Sequence, residues 1–263
     1  MGGDRPRDLL AGAEGLLAKG FDACKFNVCD EMQVVDTYAK VDAVIRTLFG
    51  LREAVGARMD LAFDFHGRVH LPMARVLLRE LEPLRPLFVE DAVAAGAVEE
   101  AEGLSRLTSI PLCFGERLHN RAEFKRLFEG RVAQVINPDP AHVGGISETV
   151  RIGHWAEAYD VGLAPHCPLG PIALAACLQV DAVCHNAFIQ EQSLGIHYNP
   201  EGDLGSYLLP GGGLEVSEGF LAIPKGLGLG IEVDEAAVEA AAAVGHRWRA
   251  PVWRHRDGSI AEW

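Results

Sequence analysis

Short apolar runs alternate with amphipathic stretches along most of this 263-residue chain. Seven of the runs read as strands: Ala23 to Val28, Leu61 to Phe65, Leu87 to Glu90, Ile110 to Glu116, Ala133 to Asn137, Val161 to His166 and Ala187 to Gln192. Short, nearly continuous apolar runs are what buried parallel strands look like. The stretches between them carry the helical period instead. From Ser147 to Tyr159, Val150, Trp155, Ala158 and Tyr159 fall at helical spacing, with Ser147 the expected N-cap after Gly144 and Gly145. Another helix precedes the first run, with Pro6 near its start, Leu9, Leu10, Leu16 and Leu17 on one face and Gly20 as its stop. Strand–helix alternation of this kind predicts an α/β barrel built around a parallel sheet.

Polar residues sit at the ends of these runs. Asp64, Glu90, Glu116, Asp139, His166 and Glu191 are separated by 26, 26, 23, 27 and 25 residues, about one βα unit each. In a parallel barrel that spacing brings all six to the C-terminal rim, where barrel enzymes build their sites. Asp64, Glu90 and Glu116, from consecutive strands, would repel one another unless a cation lay between them, and hard oxygen donors in that number suit Mg²⁺. Asp139 stands one strand before His166, where a carboxylate can orient an imidazole and make it a stronger base. In "LAFDFHGRV", Asp64 and His66 are two residues apart, so a strand reading sends both to one face and sets His66 across the metal site from His166, as an acid facing a base. His119, His142, His154 and His185 read as packing residues.

Composition narrows the function. Lys and Arg number 24 against 37 Asp and Glu, a net charge of −13, which argues against nucleic acid or an anionic membrane as a partner and for a bound cation. With 49% apolar residues and mean hydropathy +0.09 the composition is globular. No apolar run has the length of a membrane helix. Six cysteines without a C-x-x-C pair read as structural thiols of a reduced cytoplasm. Neither a linker nor a low-complexity tract interrupts the chain. Residues 1–213 read as the barrel and residues 214–263 as a tail that packs on the barrel or a capping region. Within that tail "GLGLG", from Gly226 to Gly230, reads as a turn, and the basic, aromatic stretch from His246 to Trp263 as a packed C-terminus.

The segments "DFHGRVHLPMARVL", "GERL", "INPDPAHVGGISE", "APHCPLGPIALAACL" and "FIQEQSLGIHYN" resemble the D-galactonate dehydratases of the mandelate racemase group in the enolase superfamily. The resemblance runs from one end of the chain to the other. It implies a (β/α)7β TIM-like barrel and Mg²⁺-dependent dehydration of D-galactonate to 2-dehydro-3-deoxy-D-galactonate, with one Mg²⁺ on Asp64, Glu90 and Glu116. It also implies His166 with Asp139 as the base, His66 as the acid that helps the 3-hydroxyl leave, and Lys25 and Glu191 beside the substrate carboxylate, a protonated Glu191 being able to donate a hydrogen bond there. Asn27, His66, His166 and Glu191 would contact the substrate, a small acid sugar; neither nucleic acid nor membrane is an expected partner, and a homo-oligomer is.

Three departures from the family pattern qualify that expectation. Asn27 stands where racemases of the group carry a second lysine, which argues against two-base racemisation. Glu90-Asp91-Ala92 replaces the usual Glu-Glu-Pro after the fourth-strand ligand. The α+β capping domain and the first barrel strand have no counterpart here, so the runs at Ala23 and Ala187 are expected to be left as edges. The competing readings are a dehydratase for another aldonic acid and a truncated, inactive barrel that only binds metal or other subunits.

Overall fold

A computed structural model of the chain describes residues 9–93, 101–193, 207–244 and 252–262. Helix α1 (Leu9–Ala18) leads into β1 (Ala23–Asn27), followed by α2 (Tyr38–Val55), β2 (Asp60–Asp64), α3 (Leu71–Leu81), β3 (Val89–Glu90), α4 (Glu102–Ser105), β4 (Leu112–Phe114), α5 (Arg121–Glu129), β5 (Val135–Ile136), α6 (Ile146–Glu157), β6 (Gly162–Leu163) and α7 (Pro171–Asp181). The six strands pair in parallel in the order of the chain. Ala62, Phe88, Cys113, Val135 and Ala164, from five successive strands, form one small cluster with Ile189, so the sheet curls around its own inner face. Alternate residues such as Phe63, Val89, Phe114, Ile136 and Leu163 point outward into a larger core shared with the helices. Strands β2 to β5 thus have a buried face on each side, which is why their runs read as continuously apolar, while the inward face of β1 is only half-buried.

The expected seventh strand is present only as one parallel bridge, Leu163 to Ala187. Leu163 N–H donates to Asn186 O at 2.9 Å and Phe188 N–H to Leu163 O at 3.1 Å. Pro165 follows on the neighbouring strand and has no N–H to give, so the ladder ends there. Its carbonyl instead accepts from the Gln190 carboxamide at 2.9 Å. Strand β1 pairs with β2 alone among the described residues and forms the other edge.

Two helix expectations change in detail. Leu10 is 45% exposed, while Leu9, Ala13 and Leu16 are buried and Leu17 packs on the core. At 100° per residue, positions 9, 13 and 16 share a stripe, with position 17 and then position 10 at its edge. Gly20 stops the helix as expected, at φ +86, with Phe21 N–H returning to Leu16 O. The N-cap of α6 is Gly145 at φ +93, and Ser147 is already helical. Thr149 completes that turn by donating its hydroxyl to Gly145 O. Pro6, residues 194–199 of the quoted family segments and His246 to Pro251 lie outside the described residues.

The tail adds a hairpin, β7 (Val216–Ser217) with β8 (Phe220–Leu221), and helix α8 (Glu235–Val244). A second antiparallel pair, β9 (Trp253–Arg254) with β10 (Ile260–Glu262), lies near the C-terminus. Leu214 and Leu221 pack against Cys167, Leu174, Cys177 and Leu178 of the barrel. The hairpin turn lies so close to Gly20 that a Cβ on Gly219 would come 2.7 Å from Gly20 O. All six cysteines are buried free thiols, and none of the described helices is long and apolar enough to cross a membrane.

Candidate active site

The strand register places the first carboxylates. Asp64 is the partner of Asn27 on one side and Glu90 on the other, so the ends of β1, β2 and β3 are level at the rim. Lys25 precedes Asn27 by two residues and shares its inward face. Its Nζ donates to Glu90 Oε1 at 2.5 Å and lies 3.0 Å from Glu191 Oε1.

Glu116 arrives by a different route. Cys113 faces inward, so alternation along β4 would send residue 116 outward. Gly115 at φ +152 breaks the alternation, and its missing side chain leaves room for the backbone of Asn137. The Glu116 carboxylate consequently turns into the barrel, where its Oε2 meets His166 Nε2 at 3.1 Å. The other ring nitrogen of His166 lies 2.8 Å from Asp139 Oδ2, and Asp139 is itself fixed by accepting the Ala141 N–H at 2.7 Å. Burial alone would lower the His166 pKa, but its hydrogen bonds to Asp139 and Glu116, with the charge of Glu191, push it up to about 11.

His66 reaches the rim, though not along the strand. Strand β2 ends at Asp64, and His66 adopts φ +53 with Gly67 following at φ +65. The turn is held by the Asp64 carboxylate, which accepts the His66 N–H at 2.6 Å and lies 3.2 Å from its Nδ1. A left-handed turn, rather than strand alternation, therefore brings His66 beside Asp64. Glu116 stands between the two histidines: its Oε2 faces His166, and its Oε1 lies 3.4 Å from Arg117, whose guanidinium bonds His66 O.

The electrostatics suit a hard cation. Glu90 is almost fully buried, and its pKa is driven well above the usual carboxylate range by burial and by the charges of Asp64, Glu116 and Glu191, against the opposing charge of Lys25. Burial pushes Glu116 up as well, but its hydrogen bond to His166 wins and holds it low. Asp64, Glu90 and Glu116 thus offer three oxygen donors whose mutual repulsion a bound cation would relieve, a donor chemistry that fits Mg²⁺. Their oxygens are not drawn together as tightly as bound ligands: among the described residues the one set of three donor atoms lying within 4.8 Å of one another comes from Asp139, His142 and His166, of which Asp139 and His166 already bond each other.

Glu191 is held from two sides. Burial works to raise its pKa, but Lys25, His166 and the Cys167 N–H at 2.9 Å together hold it low. Both of its oxygens face donors in this structure, Oε1 the Lys25 ammonium and Oε2 the Cys167 N–H.

Three residues near this site are absent from the sequence reading or set aside by it. His142 Nδ1 lies 3.0 Å from Glu116 O and its ring stands 6.2 Å from that of His166, so it is a neighbour of the base, not a distant packing residue. Asp91, a buried carboxylate, pairs at 2.7 Å with the half-exposed Arg117 beside His66. Each directly follows a metal-ligand candidate, Glu90 or Glu116, and that adjacency was the available signal.

A curled parallel sheet whose C-terminal rim collects carboxylates and a histidine–carboxylate pair defines a barrel enzyme of the enolase kind. Residues 8–237 match the Enolase C-terminal domain-like family. The chain is 51% identical over its whole length to D-galactonate dehydratase of Variovorax paradoxus (strain S110) and 49% identical to D-galactonate dehydratase of Ralstonia pickettii (strain 12J), spanning 69% of each. Among solved structures it resembles a mandelate racemase/muconate lactonizing enzyme-like protein from Rubrobacter xylanophilus, with TM-score 0.80 and 28% identity over 88% of this chain and 60% of that one. A mandelate racemase/muconate lactonizing enzyme from Jannaschia sp. CCS1 gives TM-score 0.79 and 28% identity over 92% of this chain and 60% of that one. The chain belongs to the enolase superfamily and, within it, to the family of the D-galactonate dehydratases.

Proposed function

We propose that this chain carries out Mg²⁺-dependent dehydration of D-galactonate to 2-dehydro-3-deoxy-D-galactonate, by removal of the α-proton and β-elimination of the 3-hydroxyl. One observation carries the reading: the His166–Asp139 pair shares a rim with Asp64, Glu90 and Glu116, and Glu116 touches the base directly. The names of the relatives supply the substrate.

Mg²⁺ would be held by Asp64, Glu90 and Glu116, where it would draw charge from Glu116, free Nε2 of His166 and polarise the substrate carboxylate. His166 Nε2 takes the α-proton while Asp139 holds Nδ1–H and fixes the ring. Lys25 adds positive charge where the carboxylate gains electron density, and Glu191 keeps Lys25 in place. Asn27, at the end of the same strand, faces the substrate. His66 then protonates the departing 3-hydroxyl, because hydroxide is a poor leaving group, and the resulting enol ketonises. The same reading treats residues 1–213 as the barrel and 214–263 as a tail lying on it, supported by the packing of Leu214 and Leu221. The chain spans only part of its relatives, so a different aldonic acid is the competing substrate.

Proton NMR in D₂O, with a panel of aldonic acids and Mg²⁺, tests the proposal by following the C2 proton and the keto product separately. Wild type should convert D-galactonate in preference to its epimers and stop in excess EDTA. His166→Asn should lose both exchange and product, and His66→Gln should lose product by roughly 10²- to 10⁴-fold. Turnover in EDTA, or C2 exchange by His166→Asn, refutes it.

A further inference from the structure

Two non-glycine residues beside the site occupy left-handed backbone conformations: His66 at φ +53 and Asp91 at φ +42. Each such residue costs of order 1–2 kcal/mol and persists only where its surroundings impose it. Here the surroundings converge on one side chain. Arg117 Nε donates to Asp91 Oδ2 at 2.7 Å, its Nη2 donates to His66 O at 3.1 Å, and Nε also lies 3.4 Å from Glu116 Oε1. The backbone closes the same loop, since Gly67 N–H donates to Asp91 O at 3.1 Å and Asp91 N–H to Cys113 O at 3.0 Å. The segments that leave β2, β3 and β4 are therefore tied together at the rim by one planar cation.

The tie joins a buried group to a half-exposed one. The Asp91 side chain is 4% exposed and that of Arg117 39%. A buried acid in that position is tolerated because the guanidinium faces it. Arginine suits the place because its fork meets the Asp91 carboxylate and the His66 carbonyl from fixed directions, which a single ammonium cannot do. The base is held by Asp139 at Nδ1 and by Glu116 at Nε2, and Arg117 touches only the other oxygen of Glu116.

We propose that Arg117, with Asp91 as its anchor, is a positioning residue for His66: its bond to the His66 carbonyl fixes the turn that aims the imidazole. The inference rests on the reading above only in taking His66 as the acid of the elimination.

The experiment uses this chain with Mg²⁺ and ¹⁵N-labelled histidine, the resonances of His66 and His166 being assigned from His66→Gln and His166→Asn. In Arg117→Met the ring resonances of His66 should move further than those of His166, which Arg117 reaches only through Glu116. With D-galactonate in D₂O, product formation should fall by about 10²-fold, as expected for an ångström-scale displacement, with exchange at C2 retained. Arg117→Lys keeps a charge opposite Asp91, so it should recover the melting temperature but not the position of His66. Unmoved His66 resonances in both variants overturn the proposal, as does an equal loss of exchange and product. If wild type neither exchanges nor dehydrates D-galactonate, the functional reading fails and the imidazole resonances alone decide the role of Arg117.

Discussion

Gly115→Ala probes the step by which Glu116 enters the barrel. A Cβ at position 115 would lie 3.0 Å from both the backbone C and N of Asn137 and 3.1 Å from its Oδ1. Two of those three atoms are backbone directly after β5, where Asn137 N–H donates to Phe114 O of β4 at 3.2 Å, so they cannot turn aside as a flexible side chain would. Holding alanine at φ +152 adds backbone strain, of order 1–3 kcal/mol. Overpacking in a close-packed interior costs about 1–3 kcal/mol more. A total near 3 kcal/mol is expected, and at about 2–4 °C per kcal/mol for a chain of this size the melting temperature should fall by about 6–12 °C. Relief of the clash would push β4 and β5 apart and carry Glu116 away from His166, so Mg²⁺ should also bind at least about tenfold more weakly, the loss of one partly made ligand. Thermal melts by circular dichroism and Mg²⁺ titration by calorimetry read the two effects. A variant that melts within 2 °C of wild type and binds Mg²⁺ equally would refute the account of how Glu116 is aimed.

Gly50, within α2, has no heavy atom within 4 Å of where its Cβ would stand, so Gly50→Ala should raise stability by about 0.5–1 kcal/mol, read as an increase in the urea midpoint; a decrease would contradict it. Asp181 ends α7, where burial pushes its carboxyl up to about 7. A folded pKa above the unfolded value near 3.9 means the folded state binds the extra proton, so stability declines as pH rises from about 4 to about 7, by at most about 4 kcal/mol. Asp181→Asn should therefore melt higher than wild type at pH 8 and almost equally at pH 4, and a parallel pH dependence in the two proteins would count against the burial argument.

Much of the fold was legible because a parallel barrel writes itself into the chain as a period. Strand, rim residue and helix repeat at about one βα unit, and six of the seven expected runs are regular strands. The seventh shows where that logic ends. The pattern from Ala187 to Gln192 has strand composition, but whether it forms a ladder depends on a neighbour, and the neighbour offers Pro165. Hydrophobic pattern reports which residues are buried; it does not report whether the facing backbone has an N–H to give. The misplaced cap on α6 has a similar origin. Ser147 has the right chemistry for a cap, but Gly145 supplies the turn and Thr149 the hydroxyl, a choice made by backbone geometry one residue at a time.

The site was legible in its members and less so in the way they are aimed. Register alone brings Asp64 and Glu90 level, because the last residues of β2 and β3 are paired with each other. Glu116 reaches the same rim against strand alternation through Gly115, and His66 reaches it by the turn at Gly67 in place of a continued strand, so both positions read as glycine in the sequence. Charge was legible as a sum and not as a set of pairings. Four buried or half-buried acids at one rim, Asp64, Glu90, Glu116 and Glu191, announce a need for cations, yet only the structure shows how Lys25, His166 and Arg117 divide the work. Lys25 faces the pair Glu90 and Glu191, His166 faces Glu116, and Arg117 faces Asp91. A carboxylate cluster partitioned in this way can give up one contact to a metal or substrate while the others hold, and that is the physical reason an acidic rim can be both a stable part of the fold and a place for chemistry.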